Sequence, residues 1–310
     1  MELARFFRNY GDEESCTQLF KEFRDRQGVI CKGCKGKDHI WIRTVRKYEC
    51  KSCHFQTTLR SGTILHASKL PYHYWIYAIV MMTYTKKSIS ALEMQRQLGH
   101  KRYEPIWAMM HKIRRSMGDR DSRYQLEELV ELDDGFVKSF KDKDENDSNG
   151  NKAGRGTQEN SNILVMCRVS SGKDDSKKKK DTAFRYVKMR LTLSQKAEEF
   201  EKIVEQHIDP ETCLMSDGFP SFSKLDSKVK SHLQLTVSPK LGGKVLPWVH
   251  TTISNLKRQL LGVHSGVKQS YLQNYLDEFC YKTNRRYFGF KLFDRVMVAA
   301  VTNHSKYGSL

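Results

Sequence analysis

Four cysteines at positions 31, 34, 50 and 53 form two C-x2-C pairs separated by fifteen residues. Two such knuckles close on one tetrahedral zinc ion, and a short segment folds around the metal rather than around a core. Each knuckle holds a Lys and a small residue, Cys31-Lys32-Gly33-Cys34 and Cys50-Lys51-Ser52-Cys53, which lets backbone N–H groups turn toward the thiolates. Residues 39–48 and 55–59 read as strands, so the segment is expected to be a zinc ribbon with structural Zn²⁺ on Cys31, Cys34, Cys50 and Cys53. His54 and Cys16 are possible extra ligands. Cys16, Cys167, Cys213 and Cys280 lack paired spacing and otherwise read as small apolar core residues.

The chain has 310 residues, with 54 Lys+Arg against 36 Asp+Glu and a formal net charge of +18. Such a surface seeks polyanions, because each cation set against a phosphate releases condensed counterions; nucleic acid is the expected partner. A hydrophobic fraction of 38% supports packed cores and excludes a wholly disordered, collagenous or coiled-coil chain. The longest apolar stretch, residues 72–84, is shorter than the roughly 20 residues a bilayer needs, so no membrane partner is expected. The first ten residues lack the pattern of a secretory signal. The expectation is a reducing cytoplasm, with the protein associated with the nucleoid, or the nucleus in a eukaryotic host.

Residues 66–122 read as helices. Pro71 suits a first helical turn, Ser90 and Glu93 make a capping box, and Gly99 is a helix stop. The next helix carries Ile106, Met110, Ile113 and Met117 at helical spacing, with His111, Lys112, Arg114 and Arg115 around them. Two helices broken at a glycine, the second basic, suggest a helix-turn-helix with Lys112, Arg114 and Arg115 toward DNA. An ordinary helical hairpin with a solvated charged face is the alternative. Residues 1–65, holding the ribbon and an N-terminal helix, form the preceding domain.

Residues 123–310 read as one α/β domain interrupted by polar insertions at 141–162 and 170–181, the second containing Lys177 to Lys180. Strands are expected over 129–136, 163–169, 183–191, 212–216 and 232–237, and helices over 194–207, 249–261 and 270–286. That order is the order of a ribonuclease-H-like core. Asp133 ends the run Val130-Glu131-Leu132-Asp133-Asp134-Gly135, and Asp217 ends Leu214-Met215-Ser216-Asp217-Gly218. Two carboxylates on adjacent strand ends can bridge a pair of Mg²⁺ ions for in-line phosphoryl transfer. Tyr271, Tyr275 and Tyr281 recur beside Leu272 and Phe279 and read as core rather than as recombinase nucleophiles.

Together with the ribbon, these runs, Trp248 to Arg258 with Asn255, Lys257 and Arg258, Gly262-Val263-His264, Tyr275 to Phe279, and Asn284-Arg285-Arg286 resemble insertion-sequence transposases of the DDE superfamily, of the ISXO-like type. The resemblance spans about residues 15–290. It implies a transposase acting on its element's terminal inverted repeats and on target DNA, using two Mg²⁺ or Mn²⁺ ions, and working as a homo-oligomer on the transposon ends. It further implies that Asp133, Asp217 and Asn255 are the catalytic and metal-binding positions, with Asn in place of the superfamily's usual Glu. Lys257, Arg258, Arg285 and Arg286 are then DNA contacts, and His250 a neighbour of the metals. The competing readings are a catalytically inactive zinc-ribbon DNA-binding protein and a ribonuclease-H-like nuclease that does not join strands.

Overall fold

The structure, a computed structural model, describes residues 3–140, 160–169, 184–235, 245–264 and 266–302. Most of the two polar insertions, including Lys177 to Lys180, lies outside the described residues; residues 160–162, read as insertion, already belong to a strand. The chain divides into two compact units, Met1–Arg120 with Arg285–Leu310, and Asp121–Asn284.

The first unit contains helices α1 (Leu3–Asn9) and α2 (Glu13–Gln27), a small sheet of β1 (His39–Ile42), β2 (Lys47–Cys50) and β3 (Gln56–Thr58), and helices α3 (Tyr72–Tyr84), α4 (Ala91–Leu98) and α5 (Tyr103–Asp121). Residues 39–48, read as one strand, are a hairpin: Ile42 pairs Lys47, and Arg46 takes a left-handed φ of 50° where the chain reverses. The hairpin brings Cys50 opposite His39. Ser90 caps α4 by accepting the Glu93 N–H at 3.1 Å, and Gly99 ends it at φ 63°, where a Cβ would be strained. The first turn of α3 is capped from a distance, since the Glu13 carboxylate accepts the N–H groups of Tyr72 (2.8 Å) and His73 (2.9 Å).

A last helix, α9 (Leu292–Val301), belongs to this unit and not to the α/β domain in which the sequence reading places it. Its apolar face explains the difference: Phe293 stacks edge-on with Phe6 and Phe23, and the Ala300 carbonyl accepts the Ile64 N–H.

The second unit is a five-stranded sheet built from β4 (Leu129–Lys138), β5 (Asn160–Val169), β6 (Phe184–Thr192), β7 (Cys213–Asp217) and β8 (Ser231–Leu235), in the spatial order β6-β5-β4-β7-β8. The first three strands form an antiparallel meander, and β7 and β8 run parallel to β4. This is the ribonuclease-H-like topology. Helices α7 (Pro247–Val263) and α8 (Gln269–Asn284) supply the core on one face, with Val165, Val187, Ile253 and Leu276 buried there. Helix α6 (Ala197–His207) and the 3-10 segment Pro220–Ser227 cover the other, packing Phe200 and Phe222 over Leu132 and Leu164.

Amide side chains of α8 serve the outer edge of β6. Gln273 accepts the Leu191 N–H (2.9 Å) and donates to the Met189 carbonyl (3.2 Å), while Asn284 accepts from Val187 N–H (2.7 Å) and donates to Val187 O (2.9 Å). An edge that would otherwise template pairing with another chain is answered this way. Tyr281 is buried and Tyr275 packs against the same core.

Candidate active site and metal centres

Strand alternation sets the site. Along β4, Val130 and Leu132 enter the core under α6, whereas Glu131, Asp133 and Gly135 face α7, as a period of two requires. The last pair of the parallel β4–β7 ladder is Leu132 with Ser216, so Asp133 and Asp217 are the next residues on neighbouring strands, and β7 ends there. Asp133 is 7% exposed. Burial, then the charges of Asp217 and Asp134, push its carboxyl up to about 7. A cation relieves the same repulsion. Asp134 points the other way and accepts from Gln195 Nε2 at 3.0 Å; burial raises its carboxyl too.

Helix α7 is docked on β4 by Glu131, whose Oε2 accepts the backbone N–H groups of Trp248 (2.9 Å) and Val249 (3.1 Å). The helix has no capping side chain of its own, Leu246 standing at its N-cap. Burial raises the Glu131 carboxyl and the two N–H donors oppose that. Gly135 lets α7 come close: a Cβ there would lie 3.0 Å from Ile253 Cδ1. In this arrangement His250 Nδ1 lies 3.7 Å from Asp133 Oδ2. Asn255 is exposed, five residues and about 7.5 Å further along the helix axis, and its Oδ1 accepts from Arg258 Nη2 at 2.7 Å. The structure therefore brings Asp133, Asp217 and His250 together and holds the Asn255 oxygen against Arg258. Lys257 is exposed. Glu278 is fully buried on α8, with Lys282 Nζ at 3.8 Å.

Beneath Asp217 runs a hydrogen-bonded chain. Ser216 Oγ and His232 Nε2 are 2.8 Å apart, and His232 Nδ1 is 2.6 Å from Asp226 Oδ1. Ser216 is wholly buried, so the chain is a strut that ties β7 to β8 and not a nucleophile open to substrate.

In the ribbon, the four Sγ atoms of Cys31, Cys34, Cys50 and Cys53 lie within 4.8 Å of one another. Sγ–Sγ distances are 3.5 Å for Cys31–Cys53 and 3.5 Å for Cys34–Cys50, near the roughly 3.8 Å edge of a tetrahedron with Zn–S bonds of 2.3 Å. Gly36 donates its N–H to Cys34 Sγ at 3.4 Å, and a Cβ on it would meet that sulfur at 3.2 Å. The donor set and its spacing fit zinc. Cys16 and His54 stand apart from it: the Cys16 thiol is buried against the Tyr10 carbonyl, and His54 Nδ1 faces Glu49 at 3.3 Å.

Of the cations expected on DNA, Arg115 is half-buried, Arg258 and Arg286 are exposed and Arg285 is half-buried. Lys112 donates to the His66 carbonyl at 3.0 Å. Arg114 is a correction. It is 1% exposed, because the buried face of α5 is wider than the stripe of Ile106, Met110, Ile113 and Met117 and takes in His111 and Arg114 as well.

Glu131, Gly135, Asn284 and the Ser216–His232–Asp226 strut are the residues that sequence reasoning leaves without a role. For Glu131 a signal exists: it stands two before Asp133, on the same strand face.

Only Asp217 stands at a strand end; Asp133, expected at one, lies midway along β4, which stays paired with β5 as far as Lys138. A ribonuclease-H-like sheet with an acid midway along one strand beside an acid at the end of its parallel neighbour, on a chain carrying a zinc ribbon, is the arrangement of a DDE-type transposase. Residues 125–284 match the ISXO2-like transposase domain and residues 11–56 the transposase zinc-ribbon domain, and the chain belongs to this transposase family. No curated protein matches it. Among solved structures it is similar to the crystal structure of the Mos1 strand transfer complex (12% identity, TM-score 0.29, covering 74% of this chain and 78% of that one) and to the Mos1 transposase paired-end complex with left transposon end (11%, 0.27, 74% and 79%). A third is the Mos1 mariner paired end complex with Mn (13%, 0.27, 76% and 79%).

Proposed function

We propose that this transposase binds the terminal inverted repeats of its own element, hydrolyses a phosphodiester at each end, and joins the freed 3′-hydroxyl to target DNA. The observation that carries the reading is the placement of Asp133, midway along β4, beside Asp217 at the end of β7, with the Asp133 carboxyl raised by burial and by its neighbour. Asp133, Asp217 and Asn255 would hold the catalytic ions. Two Mg²⁺ or Mn²⁺ ions, when bound, supply activation of the attacking oxygen and stabilisation of the leaving one.

The chain's own groups do the rest. Asp133 and Asp217 furnish the negative charge, and Gln195 holds Asp134 away on the opposite face. His250, beside Asp133, is placed to hold a proton or orient a water there. Asn255 would complete the ligand set, and Lys257 and Arg258, on the same helix, would hold DNA phosphate. Both steps are in-line displacements at phosphorus: water adds and the 3′-oxygen leaves, then that oxygen adds and a target-strand 3′-oxygen leaves. No covalent protein nucleophile is needed. Zinc on the four cysteines folds the ribbon, which with residues 88–118 recognises the ends; the transposase acts there as a homo-oligomer.

The test is incubation of the protein with duplexes carrying its element's ends, target DNA and Mg²⁺, with mapping of the strands. Nicked ends and joined products support the proposal. Cutting without joining identifies a nuclease, and binding without cutting an inactive DNA-binding relative.

A further inference from the structure

A groove of about 450 Å³ in the first unit is lined by residues from 67 to 112, with Lys69, Arg102 and Lys112 on its walls and Pro71, Trp75 and Met109 among its apolar surfaces. No acidic side chain lines it among the described residues. Glu104, outside the lining, approaches Arg102 only at 3.8 Å, and both side chains are about three-quarters exposed, Arg102 at 76% and Glu104 at 73%. The groove thus gathers three cations around an apolar floor. Phosphodiester oxygens answer the first, and deoxyribose carbons suit the second.

We infer that this groove is a seat for the sugar–phosphate backbone of DNA at the element's ends, with Lys69, Arg102 and Lys112 as the phosphate contacts. The inference rests on the DNA-binding reading above and puts phosphate contacts on Lys69, Arg102 and Lys112 in place of the buried Arg114. Lys112 is consistent with it: burial, and then Arg115, lower its affinity for a proton, so an anion there restores what the fold withholds. Backbone contacts fix register without reading bases, so the groove contributes equally to any duplex.

Fluorescence polarisation of a labelled duplex of the element's own end, and of a scrambled duplex of equal length, tests this between about 50 and 200 mM salt. For full-length protein carrying Lys69→Ala, Arg102→Ala and Lys112→Ala, the slope of log affinity against log salt should fall by about 2.7, or about 0.9 per lost contact. Both duplexes should weaken alike. Arg102→Lys should retain the wild-type slope. The exposed singles Lys69→Ala and Arg102→Ala, each expected to cost about 0.9 of slope, keep the test open if the triple variant does not fold. A wild-type slope that persists in folded variants overturns the groove and leaves DNA binding standing. Absence of salt-dependent binding by the wild-type protein overturns the DNA-binding reading itself, and the groove with it.

Discussion

Glu131 Oε2 accepts the Trp248 backbone N–H at 2.9 Å, so the strand that carries Asp133 also caps the helix that carries His250 and Asn255. One side chain fixes the helix N-terminus against the acids. Glu131→Ala should cost about 0.5–2 kcal/mol, the range of a lost N-cap, and should reduce strand cutting. Glu131→Gln, which keeps an acceptor oxygen, should recover most of both. Chemical denaturation and a cleavage assay on the same preparations check this. Equal cutting by the Ala variant and wild type would show that the cap does not set the site.

Close approach of α7 to β4 depends on Gly135. A methyl group there meets Ile253 Cδ1 at 3.0 Å, so Gly135→Ala should destabilise by about 1–3 kcal/mol, as overpacking does. Adding Ile253→Val, which removes the opposing methyl, should restore stability. Thermal melts of the two singles and the double read the coupling directly, and additive losses would argue against the contact.

Zinc should be present at about one ion per chain, from the four-ligand stoichiometry, and Cys31→Ser or Cys50→Ser should lose it. Because binding and folding are coupled, amides of residues 31–58 should then exchange rapidly while those of β4, β5 and β7 keep their protection. Metal analysis with hydrogen exchange decides; a variant that retains zinc and protection would remove the ribbon cysteines from the account.

His207 supplies a pH dependence. Its Nε2 accepts from Arg190 Nε at 2.7 Å, and burial, then Arg190 and Lys188, push its pKa down from 6.5 to about 3. Between those values the unfolded chain binds a proton that the folded chain does not. Stability is therefore lost as pH falls below about 6.5, by at most about 1.4 kcal/mol per unit from this residue. His207→Gln should flatten the decline relative to wild type in urea unfolding at successive pH values; an unchanged profile would contradict the assignment.

Much of this was legible because periodicity and spacing are local signals. The C-x2-C pairs, the Ser90 and Gly99 caps, and the alternation around Asp133 each follow from residues close in sequence. What escaped was set by contacts between distant segments. Nothing near α9 says that Phe293 meets Phe6. The hydrophobic stripe of α5 does not reveal that its buried face widens to take in Arg114. The partnership of Glu131 with Trp248 joins residues more than a hundred positions apart, and the groove around Lys69, Arg102 and Lys112 exists only once α5 and the segment before α3 are folded together. Asn255 was marked by resemblance; its hydrogen bond to Arg258 belongs to the folded helix.

The central claim is that Asp133 and Asp217 act as one metal-holding pair, and strand cutting by Asp133→Asn and Asp217→Asn measures it most directly. Each change keeps the shape and removes one charge. Cutting of the element's ends in Mg²⁺ should fall by more than about 100-fold in either variant, beyond the usual cost of losing a group behind a metal ligand, while affinity for the same DNA stays within about twofold of wild type, since neither acid is a phosphate contact. Cutting that survives in either variant, with the fold and DNA binding intact, would contradict the account.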